Sequence, residues 1–393
     1  MGTAKNAIIS VAAGRSQIAL IRAMKNKSFS VIGIDRNPNA EGFKYCDECI
    51  IESTHDATSI IKKLDALKVK WNFCGVSTQS SGVPVVTAAK IAEHFHLRYI
   101  LPTIAENIID KGLLLSALND KGLSSPKVMV VSRSEDIDVD FSPPFFVKPS
   151  ICLKSHTAMI RVEEVDHLAR AIDNALAVSA NGNVNIEQYI PGNDLVSIDL
   201  VFDKKIIHVA TIEEINSGEP HFYGLGWKLP LSIEFENAAK TLQEQFIRRF
   251  NIDYSLVQTA MKFDGKKAHV IEVHLDLGGD GVPDILLPYS LNYNLIEQVI
   301  NITLGVYPSG PQVNSIPTYF RFILKSDIKG NTNKFMNCII QKFNARFVEF
   351  DGMTASMDKE QRVAALVFQA ATIEELNLNM SEFENWLKRG VAL

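Results

Sequence analysis

The most informative segment of this 393-residue chain is Val270-Ile271-Glu272-Val273-His274-Leu275-Asp276-Leu277-Gly278-Gly279-Asp280. Alternate side chains of a strand share a face, so Glu272, His274 and Asp276 are predicted to lie together. Carboxylate oxygens placed in this way suit Mg²⁺ bound together with nucleotide phosphates. An ordinary polar face on a half-buried strand is the alternative, but the glycine pair ends the strand and lets backbone approach a ligand. The opposite face, which we expect in the core, is formed by Ile271, Val273 and Leu275.

The segments before this strand show the pattern of strands and helices that is typical of an antiparallel α+β domain. Strands are predicted at Leu256–Phe263 and Lys267–His274, joined at Asp264-Gly265, a dipeptide that readily supplies a positive φ. Strands grouped by hairpins rather than separated by helices favour antiparallel pairing. Further strands are predicted at 127–131, 144–148, 158–162, 184–188, 195–202 and 206–213. A single helix is predicted from about Thr103 to Lys121.

The first hundred residues instead alternate strands and helices, which predicts a parallel, doubly wound sheet. Its last strand is predicted at Tyr99–Leu101. Gly14 follows the first strand and Asp35 ends the second, as in dinucleotide-binding folds. The fingerprint of those folds needs three glycines, however, and this loop has one. A Rossmann-like module without a dinucleotide is therefore favoured over NAD binding.

Composition narrows the class of protein. Lys and Arg number 40 against 45 Asp and Glu, a net charge of −5, which argues against a general nucleic-acid or anionic-membrane binder. No apolar run approaches the roughly 18 residues needed to span a bilayer. Five irregularly spaced cysteines indicate a reducing compartment, so a soluble cytoplasmic protein is expected. Cys46-x-x-Cys49 is the closest pair, and coincidence is favoured over a zinc or redox site.

Two lysines and one acidic turn are further candidates for a binding site. Lys148 ends an apolar strand before Pro149, a position from which an ammonium can reach a phosphate as a point charge. Lys111 lies early in a helix beside Asp110. Either lysine alone is more often solvated. In the segment 186–194, carboxylates flank a glycine turn, where they would suit the edge of a purine and ribose hydroxyls.

Taken in order, these elements resemble the ATP-grasp superfamily. Within it, they are similar to the carboxylate–amine ligases related to carbamoyl-phosphate synthetase large subunits and L-amino-acid ligases. The resemblance covers about Ala7 to Leu304. The pieces that carry it are Ala12-Ala13-Gly14-Arg15-Ser16-Gln17, Asp35-Arg36-Asn37-Pro38, Asp110-Lys111-Gly112 with Gly122 and Pro126, Phe146-Val147-Lys148-Pro149-Ser150, Glu187-Gln188-Tyr189-Ile190-Pro191-Gly192, and Glu272 with Gly278-Gly279-Asp280.

The resemblance implies an α/β plus α+β architecture in three parts. A Rossmann-like domain that precedes the ATP-grasp body would span 1–102. The ATP-grasp domain would span 103–311, with about 125–190 forming a small subdomain over the nucleotide. A small C-terminal α+β domain would span 312–393, with strands predicted at 319–325, 346–350 and 364–368 and a last helix at 372–388.

The resemblance also implies roles for individual residues. Lys111 and Lys148 would hold the phosphates of ATP, and Glu272 with His274 would bind Mg²⁺, or alternatively Mn²⁺. Catalysis would fall to Lys148, Glu272, His274 and Lys154. The purine and ribose would be held by Glu187, by the Gln188, Tyr189 and Ile190 backbone, and by Asp194.

Three departures from the family pattern affect this site. Ala260 stands where a second metal-binding Glu is usual. Asp276 replaces an arginine that neutralises developing phosphate charge, which inverts the electrostatics there. The flap after Lys148 is poor in glycine, although Lys154, Ser155 and His156 would reach phosphates by side chain.

The segment Gly218–Pro230 lies where relatives place a loop for the acceptor substrate. Its aromatic and polar composition suits a small-molecule pocket, and an exposed loop with an aromatic anchor is an equal alternative. The substrate-contact candidates here and in the glycine pair are His221, Tyr223, Trp227, Lys228, Gly278 and Gly279.

The leading hypothesis is an ATP- and Mg²⁺-dependent ligase that joins a small-molecule carboxylate to an amine, with no nucleic-acid or membrane partner. The rival is a nucleotide-binding protein with impaired catalysis, acting as a regulatory or complex subunit. A dehydrogenase is the third interpretation. A homodimer is a further expectation.

Overall fold

The computed structural model describes residues 4–135, 137–151, 158–218, 224–278, 280–312, 314–328, 330–348 and 362–389. Within these ranges, no helix combines the length and apolar character needed to cross a membrane. The candidates Lys154, His221, Tyr223 and Gly279 lie outside the described residues, as do Ser155 and His156.

The N-terminal domain is built on a four-stranded parallel sheet, which confirms the doubly wound prediction. The strand order is β3-β2-β1-β4. The predicted strand at Tyr99–Leu101 is wrong: this short segment connects α3 to a helix that begins at Pro102, and only Ile100 of its side chains is buried. The elements are β1 (Lys5–Val11), α1 (Ile18–Asn26), β2 (Ser30–Asp35), β3 (Glu48–Ile51), α2 (Ala57–Leu67), β4 (Trp71–Ser77) and α3 (Val83–Phe95).

Two helices, α4 (Pro102–Ile109) and α5 (Lys111–Asp120), replace the single helix predicted for this region. The break is at Asp110, whose backbone is extended, with φ −88° and ψ 107°. Its side chain accepts hydrogen bonds from the backbone N–H groups of Gly112 and Leu113, as a helix N-cap does. Because of this cap, Lys111 is the first residue of α5 and not a residue in the middle of one long helix.

A small subdomain follows, formed by a four-stranded antiparallel sheet of order β5-β8-β6-β7. Helix α6 packs on one face of this sheet, with Leu168, Ala171, Ile172 and Ala175 buried. The predicted strands here are confirmed, with shifts of one or two residues at the ends. The elements are β5 (Val128–Val131), β6 (Phe145–Pro149), β7 (Ile160–Val162), α6 (Leu168–Leu176) and β8 (Val184–Gln188).

The rest of the chain forms one eight-stranded antiparallel sheet of order β13-β12-β9-β10-β11-β14-β16-β15. The strands after residue 312 extend this same sheet, so the domain boundary predicted at 311/312 lies between strands that pair with each other. The elements are β9 (Asn193–Phe202), β10 (Lys205–Asn216), β11 (Gly224–Leu229), α7 (Ile233–Arg249), β12 (Ser255–Phe263), β13 (Ala268–His274), α8 (Leu287–Leu291), α9 (Leu295–Thr303), β14 (Thr318–Leu324), α10 (Thr332–Phe343), β15 (Arg346–Val348), β16 (Arg362–Gln369) and α11 (Ile373–Arg389).

Strand β11 corrects the prediction of a loop across Gly218–Pro230. It pairs with β10 on one side and with β14 on the other. The loop was expected from the resemblance alone, whereas Gly226 allows close packing of the strands. A Cβ at that position would lie 2.2 Å from the carbonyl oxygen of Phe320 on β14.

A β-bulge in β13 changes which side chains of this strand enter the core. The prediction that Ile271 lies in the core is therefore wrong. Ala260 of β12 pairs with Glu272, whereas the next residue, Met261, pairs with Val270. Ile271 is therefore the extra residue and is only half-buried, while Val270 enters the core. Bulges of this kind re-aim side chains at the ends of strands. Val273 and Leu275 are buried, as predicted.

Candidate functional site

One cavity of about 600 Å³ lies between the three parts of the chain. This volume falls within the range of small-molecule sites. The N-terminal domain contributes Ser81 and Gly82, and the small subdomain contributes Lys148. The large sheet supplies most of the remaining wall. The polar residues that line the cavity are Ser81, Lys111, Lys148, Glu214, Gln258, Glu272, His274, Asp276 and Asp280.

Lys148 and Glu187 form an ion pair buried inside the small subdomain. Lys148 Nζ lies 2.9 Å from Glu187 Oε2, and each side chain is only 2% exposed. The two residues come from the adjacent strands β6 and β8. Asn185 Nδ2 donates a further hydrogen bond to Glu187 Oε1 at 3.1 Å. The ammonium thus lies at the cavity wall, and the pair is shielded from bulk solvent.

Lys111 and Glu272 form a second pair on the other side of the cavity, with Lys111 Nζ 2.8 Å from Glu272 Oε1. His274 Nε2 lies 3.6 Å from the same carboxylate oxygen. Burial would raise the pKa of Glu272, but Lys111, His274 and Lys148 together hold it below its ordinary value. Glu272 is therefore ionised and able to accept a cation.

Asp110 fixes the position of Lys111 relative to the small subdomain. Beyond capping α5, its carboxylate accepts hydrogen bonds from Ser150 Oγ and Asn181 Nδ2. The Lys111 N–H also donates to the Ser150 carbonyl at 3.3 Å. Gly112 allows this approach, because a Cβ there would lie 2.8 Å from Asn185 Oδ1. These contacts link the two phosphate-binding candidates, since Ser150 follows Lys148 closely in the chain.

The predicted metal site holds one carboxylate. Glu272 pairs across the ladder with Ala260, and His274 pairs with Gln258. In the described ranges, no group of three or more His, Cys, Asp and Glu side chains is arranged to hold a metal ion. Mg²⁺ is commonly bound by one or two carboxylates together with substrate phosphates and water. Glu272 fits that minimal arrangement, with His274 beside it.

Asp276 lies at the cavity wall beyond His274 and is only 3% exposed. Its Oδ1 accepts hydrogen bonds from Ser81 Oγ at 2.9 Å and from the Gly278 N–H at 2.8 Å. Burial raises the pKa of Asp276, against the lowering effect of nearby His274 and of the Ser81 hydrogen bond. Glu272, His274 and Asp276 all line the cavity, but so do Val273 and Leu275 between them, and the strand ends at His274.

The residues predicted to hold purine and ribose already have protein partners. The N–H groups of Gln188 and Tyr189 donate to the carbonyls of Lys127 and Pro144. Arg161 lies over the Tyr189 ring, with Cζ 4.3 Å from its centroid. Ile190 is buried beside them. The nucleotide roles of Glu187, Gln188, Tyr189 and Ile190 stay predictions.

Asp194, the predicted ribose ligand, is held by two neighbours. Its Oδ2 accepts from Lys262 Nζ at 2.7 Å and from Asn216 Nδ2 at 2.6 Å. Burial raises the pKa of Asp194, although Lys262 and Asn216 oppose the rise. A ribose hydroxyl would have to share this carboxylate with both groups, so its role also stays a prediction.

Glu214, like Ser81, is a polar residue of the cavity that sequence reasoning missed. It has no hydrogen bond or ion pair within the described part of the chain. Burial, with Asp194 and Asp280 nearby, raises its pKa to about 8. In the sequence, Glu213-Glu214 is an ordinary pair in a strand. Successive side chains of a strand point to opposite faces, and this alternation could have identified Glu214. Glu213 binds Lys228 on one face of β10, so Glu214 lies on the other.

The described substrate candidates separate into two groups. Trp227 and Gly278 line the cavity, and the indole N–H of Trp227 donates to the Asp280 carbonyl at 3.1 Å. Lys228 instead pairs with Glu213 at 2.7 Å and lies 3.3 Å from Asn377 of α11. The alternation of β11 explains this separation, since Trp227 and Lys228 point to opposite faces.

The cysteine pair is not poised for metal or redox chemistry. Cys46 Sγ contacts the Gly42 carbonyl, and Cys49 Sγ contacts the Phe43 carbonyl. Burial, with the charges of Cys49 and Asp47, raises the pKa of Cys46 to about 12. Because the thiolate is the reactive and metal-binding form, this environment favours a structural role.

Comparison with solved structures shows similarity over nearly the whole chain. An L-amino acid ligase from Bacillus licheniformis is 18% identical, with a TM-score of 0.74 over 99% of this chain and 98% of that one. An N5-carboxyaminoimidazole synthetase from Staphylococcus aureus, complexed with ADP, is 13% identical, with a TM-score of 0.76 over 97% of both chains. A phosphoribosylglycinamide synthetase from Anaerococcus prevotii is 14% identical, with a TM-score of 0.69 over 97% and 98%.

By sequence, no protein-family model matches this chain, and no curated protein matches it. At identities of this size, the structural similarity establishes a shared fold.

Proposed function

We propose, from the premise that the chain has the ATP-grasp fold, that it is an ATP-dependent ligase. It would activate a small carboxylate as an acyl phosphate and join it to an amine. The observation that carries the proposal is the meeting of Lys111 and Lys148, from different parts of the chain, with Glu272 in one cavity.

The charges around the cavity suit a triphosphate. Each lysine is paired with a carboxylate, Lys111 with Glu272 and Lys148 with Glu187. A polyanion entering the cavity would compete for the two ammonium groups. The freed Glu272 carboxylate would then be available to a divalent cation. Lysines act on phosphates as point charges, so no covalent nucleophile from the protein is required.

The fold implies a divalent metal ion. Glu272 would hold Mg²⁺ or Mn²⁺ together with the phosphates, since both ions favour hard oxygen ligands. When bound, the ion supplies neutralisation of phosphate charge. His274, beside Glu272, would hold that carboxylate in its ionised form.

The proposed reaction has two steps that balance. A carboxylate oxygen of the substrate attacks the γ-phosphorus of ATP, and ADP leaves. The amine then attacks the acyl carbon, phosphate leaves, and the amine nitrogen loses a proton to solvent. Lys111 and Lys148 would position the transferred phosphoryl group, and alignment of the reactants is the main contribution of the protein.

An ADP-release screen over mixed amino acids and organic acids, with Mg²⁺ or Mn²⁺, tests the proposal. Mass spectrometry identifies any amide product. Glu272→Ala and Lys148→Met should each abolish ADP release. Lys90→Met is the matched control, because Lys90 is exposed and pairs with Glu106. Background ADP release over the whole panel would contradict the proposal.

Ala260 favours a second candidate, a nucleotide-binding subunit with impaired catalysis. Its methyl group faces Glu272, where a second carboxylate would complete a metal site. Calorimetry showing ATP binding that is indifferent to Mg²⁺ supports this candidate. ADP release that disappears in Glu272→Ala eliminates it. The homodimer stays a separate prediction, which light scattering measures.

A further inference from the structure

Asp276 is a buried residue at the cavity wall, and only one of its two carboxylate oxygens is held by the protein among the described residues. Both of its hydrogen bonds, from Ser81 Oγ and from the Gly278 N–H, go to Oδ1. Oδ2 has no hydrogen-bond partner in the described part of the chain. A carboxylate oxygen that faces a cavity can accept a charge-assisted hydrogen bond from a ligand, which is stronger than a bond between neutral groups. A cationic donor is therefore the ligand group that suits Oδ2 best.

The cations of the cavity do not meet this need. Lys111 lies against Glu272, and Lys148 lies against Glu187. His274 Nε2 lies 3.6 Å from Glu272, and its charge acts on Asp276 without a hydrogen bond between the two residues. A triphosphate would draw the two lysines still further toward itself. Asp276 therefore remains available to a cation that comes from solution.

A second carboxyl, that of Glu214, also lines the cavity. Glu214 has no ion pair among the described residues, and burial with nearby acids raises its pKa to about 8. A cation in the cavity would favour the ionised form of this carboxyl. Ionised Asp276, and Glu214 once it is ionised, would repel an anionic ligand, which gives this part of the cavity a preference for positive charge.

We propose that Asp276 binds the ammonium group of the amine substrate, and that this substrate is a small cationic molecule. Asp276 Oδ2 accepts from the ammonium, while Ser81 and Gly278 hold the carboxylate in place. Asp276 is thus a residue that determines specificity. The identity of the bound group as the reacting amine rests on the proposed ligase function. In that reaction the ammonium first loses one proton to solvent, which frees the nitrogen lone pair for attack, and the nitrogen loses a second proton after attack. Binding of the ammonium does not require ATP turnover.

Binding of a charge series to the wild-type protein without nucleotide tests this proposal. The probes are putrescine, butanediol and succinate, which share a four-carbon chain and differ in charge. Calorimetry at millimolar concentration should detect putrescine binding that weakens as salt rises. Butanediol should bind at least about tenfold more weakly, because it lacks charge-assisted hydrogen bonds. Equal binding of putrescine and butanediol, or no putrescine binding, overturns the proposal.

The variant Asp276→Asn removes the charge with little change in size and should weaken putrescine binding about tenfold or more. Glu244→Gln is the control: it makes the same chemical change at an exposed residue paired with Arg248 on α7. An Asp276→Asn variant that folds and binds putrescine as the wild type does contradicts the assignment. If Asp276→Asn does not fold, binding of putrescine, butanediol and succinate to the wild-type protein still tests the proposal.

The outcome is separable from that of the ligase proposal. Putrescine binding without ADP release from any substrate mixture leaves the cation site standing and refutes the ligase. ADP release with neutral or anionic acceptors, together with absent putrescine binding, refutes the cation site and leaves the ligase standing. If both hold, Asp276→Asn should raise the KM for the amine while leaving the KM for ATP unchanged.

Discussion

Replacing Lys148 by methionine tests how the small subdomain holds its phosphate-binding candidate. The change keeps an unbranched side chain of similar length but leaves Glu187, 2% exposed, without its counter-charge. Removing one partner of a buried ion pair costs about 3–5 kcal/mol, because the remaining charge stays buried and unpaired. The Asn185 hydrogen bond to Glu187 offsets part of this cost. The small subdomain is therefore expected to lose about 3 kcal/mol of stability.

Hydrogen exchange of the backbone amides in β6 and β8 measures this loss locally. A local probe is appropriate because a chain of several domains does not unfold in one two-state step. A loss of about 3 kcal/mol should speed exchange there by about two orders of magnitude. The amides of β1 and β4, in the N-terminal domain, are the internal control and should be unaffected.

The double variant Lys148→Met/Glu187→Gln distinguishes charge from packing. Removing both charges leaves no buried ion, so about half or more of the lost protection should return. ATP binding should stay weak in both variants, since neither has the Lys148 ammonium. If the double variant exchanges as fast as Lys148→Met alone, the cost comes from packing and the electrostatic argument is wrong.

Three further changes probe the rest of the cavity. Asp110→Ala removes the cap of α5 and should cost about 1–2 kcal/mol, seen as faster amide exchange in α5 and a higher KM for ATP; unchanged exchange would refute the capping role. The Glu214 carboxyl has a folded pKa of about 8, above its ordinary 4.5. The folded state therefore holds the extra proton, and its stabilising contribution is lost as pH rises from about 4.5 through about 8. Glu214→Gln should melt about 2–4 °C above the wild type near pH 9 and match it near pH 4; a constant difference would contradict the assignment. Ala260→Glu places a second carboxylate about 5 Å from Glu272 and should tighten Mg²⁺ binding in the presence of ATP about tenfold, measured by metal titration; unchanged affinity would mean that the two positions do not share an ion.

Local pattern was sufficient to predict most of the strands. β8 was predicted with its observed ends, because Val184 and Ile186 alternate with polar residues and Gly182 and Gly192 lie on either side of the segment. The parallel N-terminal sheet followed in the same way from alternating periodicities. The lysines and Glu272 of the cavity came from a resemblance in the order of motifs, and the structure places all three at one cavity.

The features that were missed depend on contacts between segments far apart in the chain. The segment that forms β11 was expected to be a loop because relatives have one there. In the structure it is a strand, and Gly226 is required by the close approach of β14. The bulge at Ile271 follows from the pairing of β13 with β12, which no single segment encodes. Glu214 acquires its environment from Asp194 and Asp280, on other strands and loops. Propensity and periodicity describe one segment at a time, so they do not carry this information.

The N-terminal domain uses the edge of its sheet to build the cavity wall. In doubly wound sheets, a ligand usually binds in the crevice beyond the carboxyl ends of the strands. Here Gln17, fully buried, is hydrogen-bonded to the segment that follows β4. Its Oε1 accepts from the Gln79 N–H, and its Nε2 donates to Ser80 Oγ.

The same loop then reaches the segment after β13. Gln79 Nε2 donates to the Gly278 carbonyl at 2.9 Å, beside the Ser81 contact to Asp276. Asp35, which would hold a ribose in a dinucleotide fold, instead accepts from the Ala13 N–H and fixes the first loop. The groups that would bind a dinucleotide are thus hydrogen-bonded to other parts of the protein. This use of the sheet edge favours the ligase over the dehydrogenase, because it makes the N-terminal domain a wall of the cavity that contains Lys111 and Glu272.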